Sequence, residues 1–101
     1  MNFVYLDPPY RPLLNESNFK SYSNSPFGDA QQEELKLFCD KLSLLGCMIM
    51  VSNSDSRKAD GSSYFEELYN GYNCHRILAP RFINANPEKR VKLHEVVITN
   101  Y

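Results

Sequence analysis

Val4-Tyr5-Leu6-Asp7-Pro8-Pro9-Tyr10 is the stretch on which the reading of the chain turns. The apolar run ahead of Asp7 predicts a short buried strand over residues 2–6. It stops at an acid, two prolines and an aromatic ring. Open α/β sheets bind ligands just outside the carboxyl ends of their strands, so this tetrad is expected to face a crevice. Proline fixes φ near about −65°, and Pro9 restricts Pro8 to extended conformations, so the Pro8 carbonyl is held in one direction. A carboxylate (Asp7) and a flat ring (Tyr10) stand beside it. That set suits an exocyclic amine on a planar base. Asp7 and the Pro8 carbonyl can each accept one N–H and stabilise the charge that develops on nitrogen. Tyr10 can stack on the base, a contact of roughly 1–3 kcal/mol. A base reached this way has left its duplex.

The residues around the tetrad carry a resemblance. Asp7-Pro8-Pro9-Tyr10 resembles the catalytic motif of amino-methylating, S-adenosylmethionine-dependent methyltransferases. Pro12-Leu13, Asn18-Phe19 and Ser21-Tyr22 resemble the Dam-type DNA adenine-N6 methyltransferases in particular. So do Ser52-Asn53-Ser54-Asp55, Arg81-Phe82-Ile83-Asn84 and the ending Glu95-Val96-Val97-Ile98-Thr99-Asn100-Tyr101. The resemblance implies catalytic roles for Asp7, Pro8, Pro9 and Tyr10. It implies substrate contacts from Asn18, Phe19, Tyr22, Asn53, Asp55 and Arg81, and a place for Asp7 at the edge of the S-adenosylmethionine site. Those enzymes place their cofactor motif and target-recognition segment before the tetrad. Over residues 1–101 the resemblance therefore implies a partial catalytic domain, the carboxyl-terminal half of a Rossmann-like sheet, inactive or nearly so alone.

Composition sets the outer bounds. The chain has 101 residues, 43% hydrophobic and 13% aromatic, which fits one small globular domain and not a disordered chain. No apolar run is long enough for a membrane span, and no signal peptide is expected. Cys39, Cys47 and Cys74 are odd in number and lack a C-x-x-C pair, which points to reduced thiols and a cytoplasmic location. His75 and His94 form no ligand cluster, so no metal is expected. The formal net charge of −1 is unusual for a protein that meets a duplex. Its distribution is uneven: Asp29 to Asp40 holds four acids and one lysine, whereas Arg76 to Lys92 holds five bases and one acid.

After the first strand, Arg11 to Phe27 reads as a long polar loop beside the base pocket. Asp29 as N-cap and Gln32 as its capping-box partner predict a helix, with Leu35, Phe38, Cys39, Leu42 and Leu45 on its buried face and Gly46 ending it. Cys47–Val51 reads as a central strand of a parallel sheet. Ser63 with Glu66 opens a second, short helix with a stripe of Phe65, Leu68, Tyr69 and Tyr72. Asn73–Leu78 and Lys92–Tyr101 read as strands pairing antiparallel across a basic loop, Pro80 to Arg90. The fold class is therefore α/β: strand, helix, strand, helix, then an antiparallel strand pair.

No glycine-rich turn joins a strand to a helix, since Gly28, Gly46, Gly61 and Gly71 lie far apart. A full S-adenosylmethionine site is thus not expected on this chain. The first strand is expected at a sheet edge, where a second copy or a separate amino-terminal half can pair. DNA is the expected partner of the complete enzyme, with no membrane partner. Two other readings stand beside this one: a fragment of an RNA-base or protein-amide methyltransferase, and a non-catalytic remnant that binds DNA or a protein.

Overall fold

The computed structural model describes residues 2–13, 22, 24–81 and 91–101, with the backbone alone for 79–81 and 91–93. The elements run β1 (Phe3–Leu6), α1 (Asp29–Leu44), β2 (Met48–Ser54), α2 (Tyr64–Leu68), β3 (Asn73–Arg81) and β4 (Val91–Thr99). The four strands form one sheet in the order β1-β2-β4-β3. β1 pairs parallel with β2, Leu6 opposite Val51. β4 runs antiparallel to both β2 and β3. β2 is thus central but has only one parallel neighbour, so the sheet is mixed.

Strand alternation sorts the side chains onto two faces. Ile49, Val51, Val96 and Ile98 face Cys39 of α1 and Phe65 and Tyr69 at α2, forming one buried cluster with Leu6, Leu42 and Cys74 against it. The other face carries Phe3, Tyr5, Met48, Met50 and Ser52. Among the described residues no helix covers it, and Phe3 and Tyr5 are more than half exposed. β1 lies at the edge of this sheet, as expected, but it is not the buried strand that its apolar run predicts: no residue of Phe3–Leu6 is buried, because only one face and one edge of the strand are covered among the described residues.

The first helix departs from expectation at its start and in the width of its covered face. Its N-cap is Gly28, whose carbonyl accepts from the amides of Gln31 and Gln32, while the Gln31 side chain accepts from the Gly28 amide at 2.8 Å. The cap is one residue earlier than predicted because the Asp29 carboxylate has other partners, Arg11 and Tyr22. Gln32, released from capping, is buried. The covered stripe is also narrower than the periodicity suggests: Cys39 is buried, but Phe38 is 50% and Leu45 79% exposed. At the far end the amides of Cys47 and Gly46 bond back to the carbonyls of Leu42 and Ser43, the double bond of a Schellman stop. It needs the positive φ of Gly46, +86°.

Asn100 ties this corner together. Its Oδ1 accepts from the Ile49 amide at 2.8 Å, and its Nδ2 donates to Ser43 Oγ and the Cys47 carbonyl. The end of the chain thereby locks the helix stop onto β2. The second helix starts as predicted, with Ser63 Oγ accepting from the Glu66 amide.

Tyrosine supplies much of the core, and burial is the main reason its phenols resist ionisation. Tyr69 and Tyr72 are raised above the usual tyrosine range, and Tyr64 is pushed up to about 12. Tyr72 is further held neutral by donating to Asp40 Oδ1. A raised folded pKa means stabilisation that is complete below the unfolded value, about 10, and lost as pH rises through the folded one. The chain is therefore expected to unfold cooperatively between about pH 10 and 12. Tyrosinate absorbance should rise together with the loss of circular dichroism, whereas phenol ionisation without unfolding would refute this account.

Candidate active site

Asp7, Pro8, Pro9 and Tyr10 leave the carboxyl end of β1 and line a surface depression together. The segment has no regular backbone pairing, so its shape must come from side chains reaching it. They do so from four places. Ser52 Oγ donates to Asp7 Oδ1 at 3.2 Å. Gln32 Nε2, from the first turn of α1, donates to the Pro9 carbonyl at 3.0 Å. Tyr10 Oη donates to Glu95 Oε2 of β4 at 3.2 Å. Asn53 Oδ1 accepts from the Arg11 amide at 2.9 Å. Among the described residues the Pro8 carbonyl and Asp7 Oδ2 take no hydrogen bond. Those are the two acceptors that the sequence assigns to an amine.

Arg11, directly after the tetrad, is the anchor that sequence reasoning missed. It is 7% exposed. Nε and Nη2 donate to the two oxygens of Asp29, Nη1 donates to Ser56 Oγ at 2.6 Å, and the guanidinium lies 4.2 Å over the Tyr64 ring. Its carbonyl accepts from Ser54 Oγ, and the next carbonyl, of Pro12, accepts from Ser56 Oγ. A planar fork binds a carboxylate side-on, and its weak hydration eases burial against a ring. The visible clue was Arg11 itself, the one base next to the motif, with a lone acid opening the following helix.

The other predicted residues divide. Tyr22 is buried, and its hydroxyl donates to Asp29 Oδ1 at 2.8 Å. Burial first, and then that carboxylate, raise its pKa above the tyrosine range. Asn53 is fully buried, accepting from the amides of Arg11 and Ser54 and donating to Gln32 Oε1. Asp55 is 7% exposed and paired with Arg57 and with Arg76 of β3, Nη2 of the latter 2.7 Å away. The backbone of Arg81 closes β3 opposite Val91. Asn18 and Phe19 lie outside the described residues, as does most of the basic loop. Tyr10 is partly buried, and its pKa is raised chiefly by that burial.

An S-adenosylmethionine site needs a strand, a glycine turn and a helix in succession. Among the described residues none is built so. Gly46 precedes β2 and Gly71 precedes β3, both at the sheet edge opposite the tetrad. No helix of the described residues is long and apolar enough to cross a membrane.

Comparison with known proteins places this geometry in context. The family model for D12 class N6 adenine-specific DNA methyltransferases matches residues 1–82. A type II methyltransferase of Methanocaldococcus jannaschii is 40% identical over 101 residues, 99% of this chain and 33% of the relative. One from Lactococcus lactis is 40% identical over 100 residues, again 33% of its own length. A DNA adenine methylase of Haemophilus influenzae is 38% identical over 95 residues, 93% of this chain and 31% of the relative. The chain spans about a third of the length of these curated relatives.

The Arg11 clamp yields a stability prediction. Replacing Arg11 by Ala leaves Ser56 and the Tyr64 face without their partner and is expected to cost about 2–3 kcal/mol. The value sits low in the range for broken buried pairs because the Asp29 side chain is 44% exposed and can be rehydrated. Arg11→Lys keeps the charge but not the fork and should recover less than half of the loss. Urea midpoints of the three proteins measure both, and an unchanged midpoint for the Ala variant would remove Arg11 from this role.

Proposed function

The chain belongs to the D12 class N6 adenine-specific DNA methyltransferases, and from that premise we propose that it forms the acceptor-amine side of such an enzyme's active site. The observation that carries the proposal is the pair of acceptors beside Tyr10, the Pro8 carbonyl and Asp7 Oδ2, left unengaged while Asp7 Oδ1, the Pro9 carbonyl and the Tyr10 hydroxyl each have a partner. An adenine turned out of its helix presents an N6 amino group with two N–H donors. One goes to Asp7 and the other to the Pro8 carbonyl, and the Tyr10 ring stacks on the base. Accepting both hydrogens draws the nitrogen toward a pyramidal shape and stabilises the positive charge it gains. Asp7 is then placed to take the proton that the nitrogen gives up.

S-adenosylmethionine, when bound, supplies an electrophilic methyl group. Asp7 stands at the edge of its pocket, and the rest of that pocket comes from polypeptide beyond these residues. The same holds for the segment that reads the DNA sequence. The sheet is accordingly the carboxyl-terminal half of a Rossmann-like domain. Its free β1 edge, with Phe3 and Tyr5, and the exposed Leu37, Phe38, Leu44 and Leu45 of α1 are the surfaces on which the remainder, or a second copy, packs. Asn18, Phe19 and Arg81 are assigned to the DNA side, Arg81 as a phosphate contact that positions without reading sequence. Tyr22, Asn53 and Asp55 shape the base pocket by holding Asp29, Arg11 and Arg76 in place. An RNA-base or protein-amide acceptor is disfavoured by the family match.

Two measurements test this reading. Alone, the chain should bind S-adenosylmethionine weakly or not at all by isothermal titration, and its solution mass should exceed that of a monomer. Tight cofactor binding by a stable monomer would contradict both parts. Joined to the remaining two thirds of the Methanocaldococcus jannaschii relative, it should methylate adenine in DNA. Asp7→Ala should there reduce kcat by about a thousandfold or more with DNA binding retained; turnover near that of the parent would exclude Asp7 from the chemistry.

A further inference from the structure

Ser52 lies at a meeting point that the family motif does not explain. In the parallel register of β1 and β2, Tyr5 stands opposite Met50 and Leu6 opposite Val51. One step further along, Asp7 comes level with Ser52, and alternation puts Tyr5, Asp7 and Ser52 on one face. Ser52 is 5% exposed. Its Oγ is 2.8 Å from Tyr5 Oη and 3.2 Å from Asp7 Oδ1. One serine side chain therefore links the phenol of the edge strand to the acceptor carboxylate.

Proton counting gives the chain of bonds a direction. Serine has one O–H and two lone pairs, and an ionised carboxylate only accepts. The Ser52 proton must go to Asp7, so Tyr5 is the donor to Ser52. The phenol of Tyr5 orients the serine, and the serine holds Oδ1. Oδ2 is left as the oxygen that can meet an amine. Tyr5 hangs on an edge strand with its ring more than half exposed, and packing alone does not require its hydroxyl.

We propose that Ser52, oriented by Tyr5, is a positioning residue that fixes the side-chain rotamer of Asp7 so that Oδ2 faces the acceptor amine. The inference rests on the reading of Asp7 given above. Its effect is geometric: a carboxylate free to rotate spends part of its time with neither oxygen in line with the N–H, and misplacement of about 1 Å can cost roughly 100-fold in rate.

The first test needs no activity. Three-bond couplings to the Asp7 carboxyl carbon, measured by NMR on this chain, should report a single rotamer in the parent protein. They should report averaged rotamers in Ser52→Ala and an intermediate value in Tyr5→Phe, which removes only the hydroxyl of a half-exposed side chain. Averaging already present in the parent, or a fixed rotamer in Ser52→Ala, overturns the proposal. In the joined enzyme Ser52→Ala should lower kcat roughly 10–100-fold with KM for DNA within about twofold. Ser52→Thr, which keeps the hydroxyl, should restore most of it. The double variant with Tyr5→Phe should be no slower than Ser52→Ala alone, since the two act in series. Losses in kcat that only track the folded fraction, with no rescue by Thr, overturn it as well. An active Asp7→Asn enzyme would instead remove the reading of Asp7 and leave the rotamer result standing.

Discussion

The buried guanidinium of Arg11 is the constraint on which the site depends. A strand that ends in two prolines has no ladder bonds to steer it beyond its last paired residue. Arg11 supplies the missing direction one residue after the tetrad. Through Asp29 it is tied to the start of α1, through Ser56 and Asn53 to the end of β2, and through Tyr64 to α2. Few side chains can do this at one position. Lysine would bring a strongly hydrated point charge that neither matches a carboxylate side-on nor lies flat on a ring. The cost of burying the charge is offset by a bidentate partner, a hydroxyl and a π-face.

That arrangement explains what the neighbouring polar residues are for. Asn53 is the pivot between β2 and the tetrad: its one carbonyl oxygen accepts two backbone amides, and its amide reaches Gln32. Gln32 passes the constraint on to the Pro9 carbonyl. With Pro9 held from behind and Pro8 restricted by Pro9, the Pro8 carbonyl has little freedom left. The polar interior of this end of the sheet is therefore a scaffold that aims one backbone oxygen and one carboxylate outward. Among the described residues no cluster of side chains suits a metal ion and the cysteines are free, so the shape of this end rests on these hydrogen bonds.

Much of this was legible in the chain, and the limits are instructive. The strand before the tetrad, the stop at Gly46, the capping serine of α2 and the antiparallel final pair all rest on local signals: short apolar runs, a glycine in a left-handed position, a Ser-x-x-Glu spacing. Asp29 was misread because the same residue types serve as cap and as ion partner, and only tertiary structure brings Arg11 to it. The shift moved the cap to Gly28 with Gln31 and freed Gln32 for the site, which no spacing rule reveals. Phe38 and Leu45 share a helical face with Leu35 and Leu42, but periodicity says which residues share a stripe, not how wide a stripe is covered. Asn53 and Asp55, which the resemblance implies as substrate contacts, stand at the tetrad's end of β2. What the sequence could not show is that their polar atoms turn inward, toward Arg11 and Arg76.

The division of labour within the fold follows from where the bonds to the tetrad originate. Every described contact that shapes it comes from Arg11, Gln32, Ser52, Asn53 or Glu95, all within this chain and all C-terminal to the motif. The apolar surfaces left bare, by contrast, lie on the Phe3 and Tyr5 face of β1 and along α1. Under the proposed function, holding an amine and covering the sheet are thus physically separate tasks. A small polar network can preorganise the acceptor geometry without waiting for the rest of a larger domain, because short hydrogen bonds, once desolvated, need no further burial to keep their direction. Methyl transfer asks more, since the electrophile must be held in line with that same nitrogen. The free edge of β1, immediately beside Asp7, is where any polypeptide that completes the sheet would bring such a group within reach.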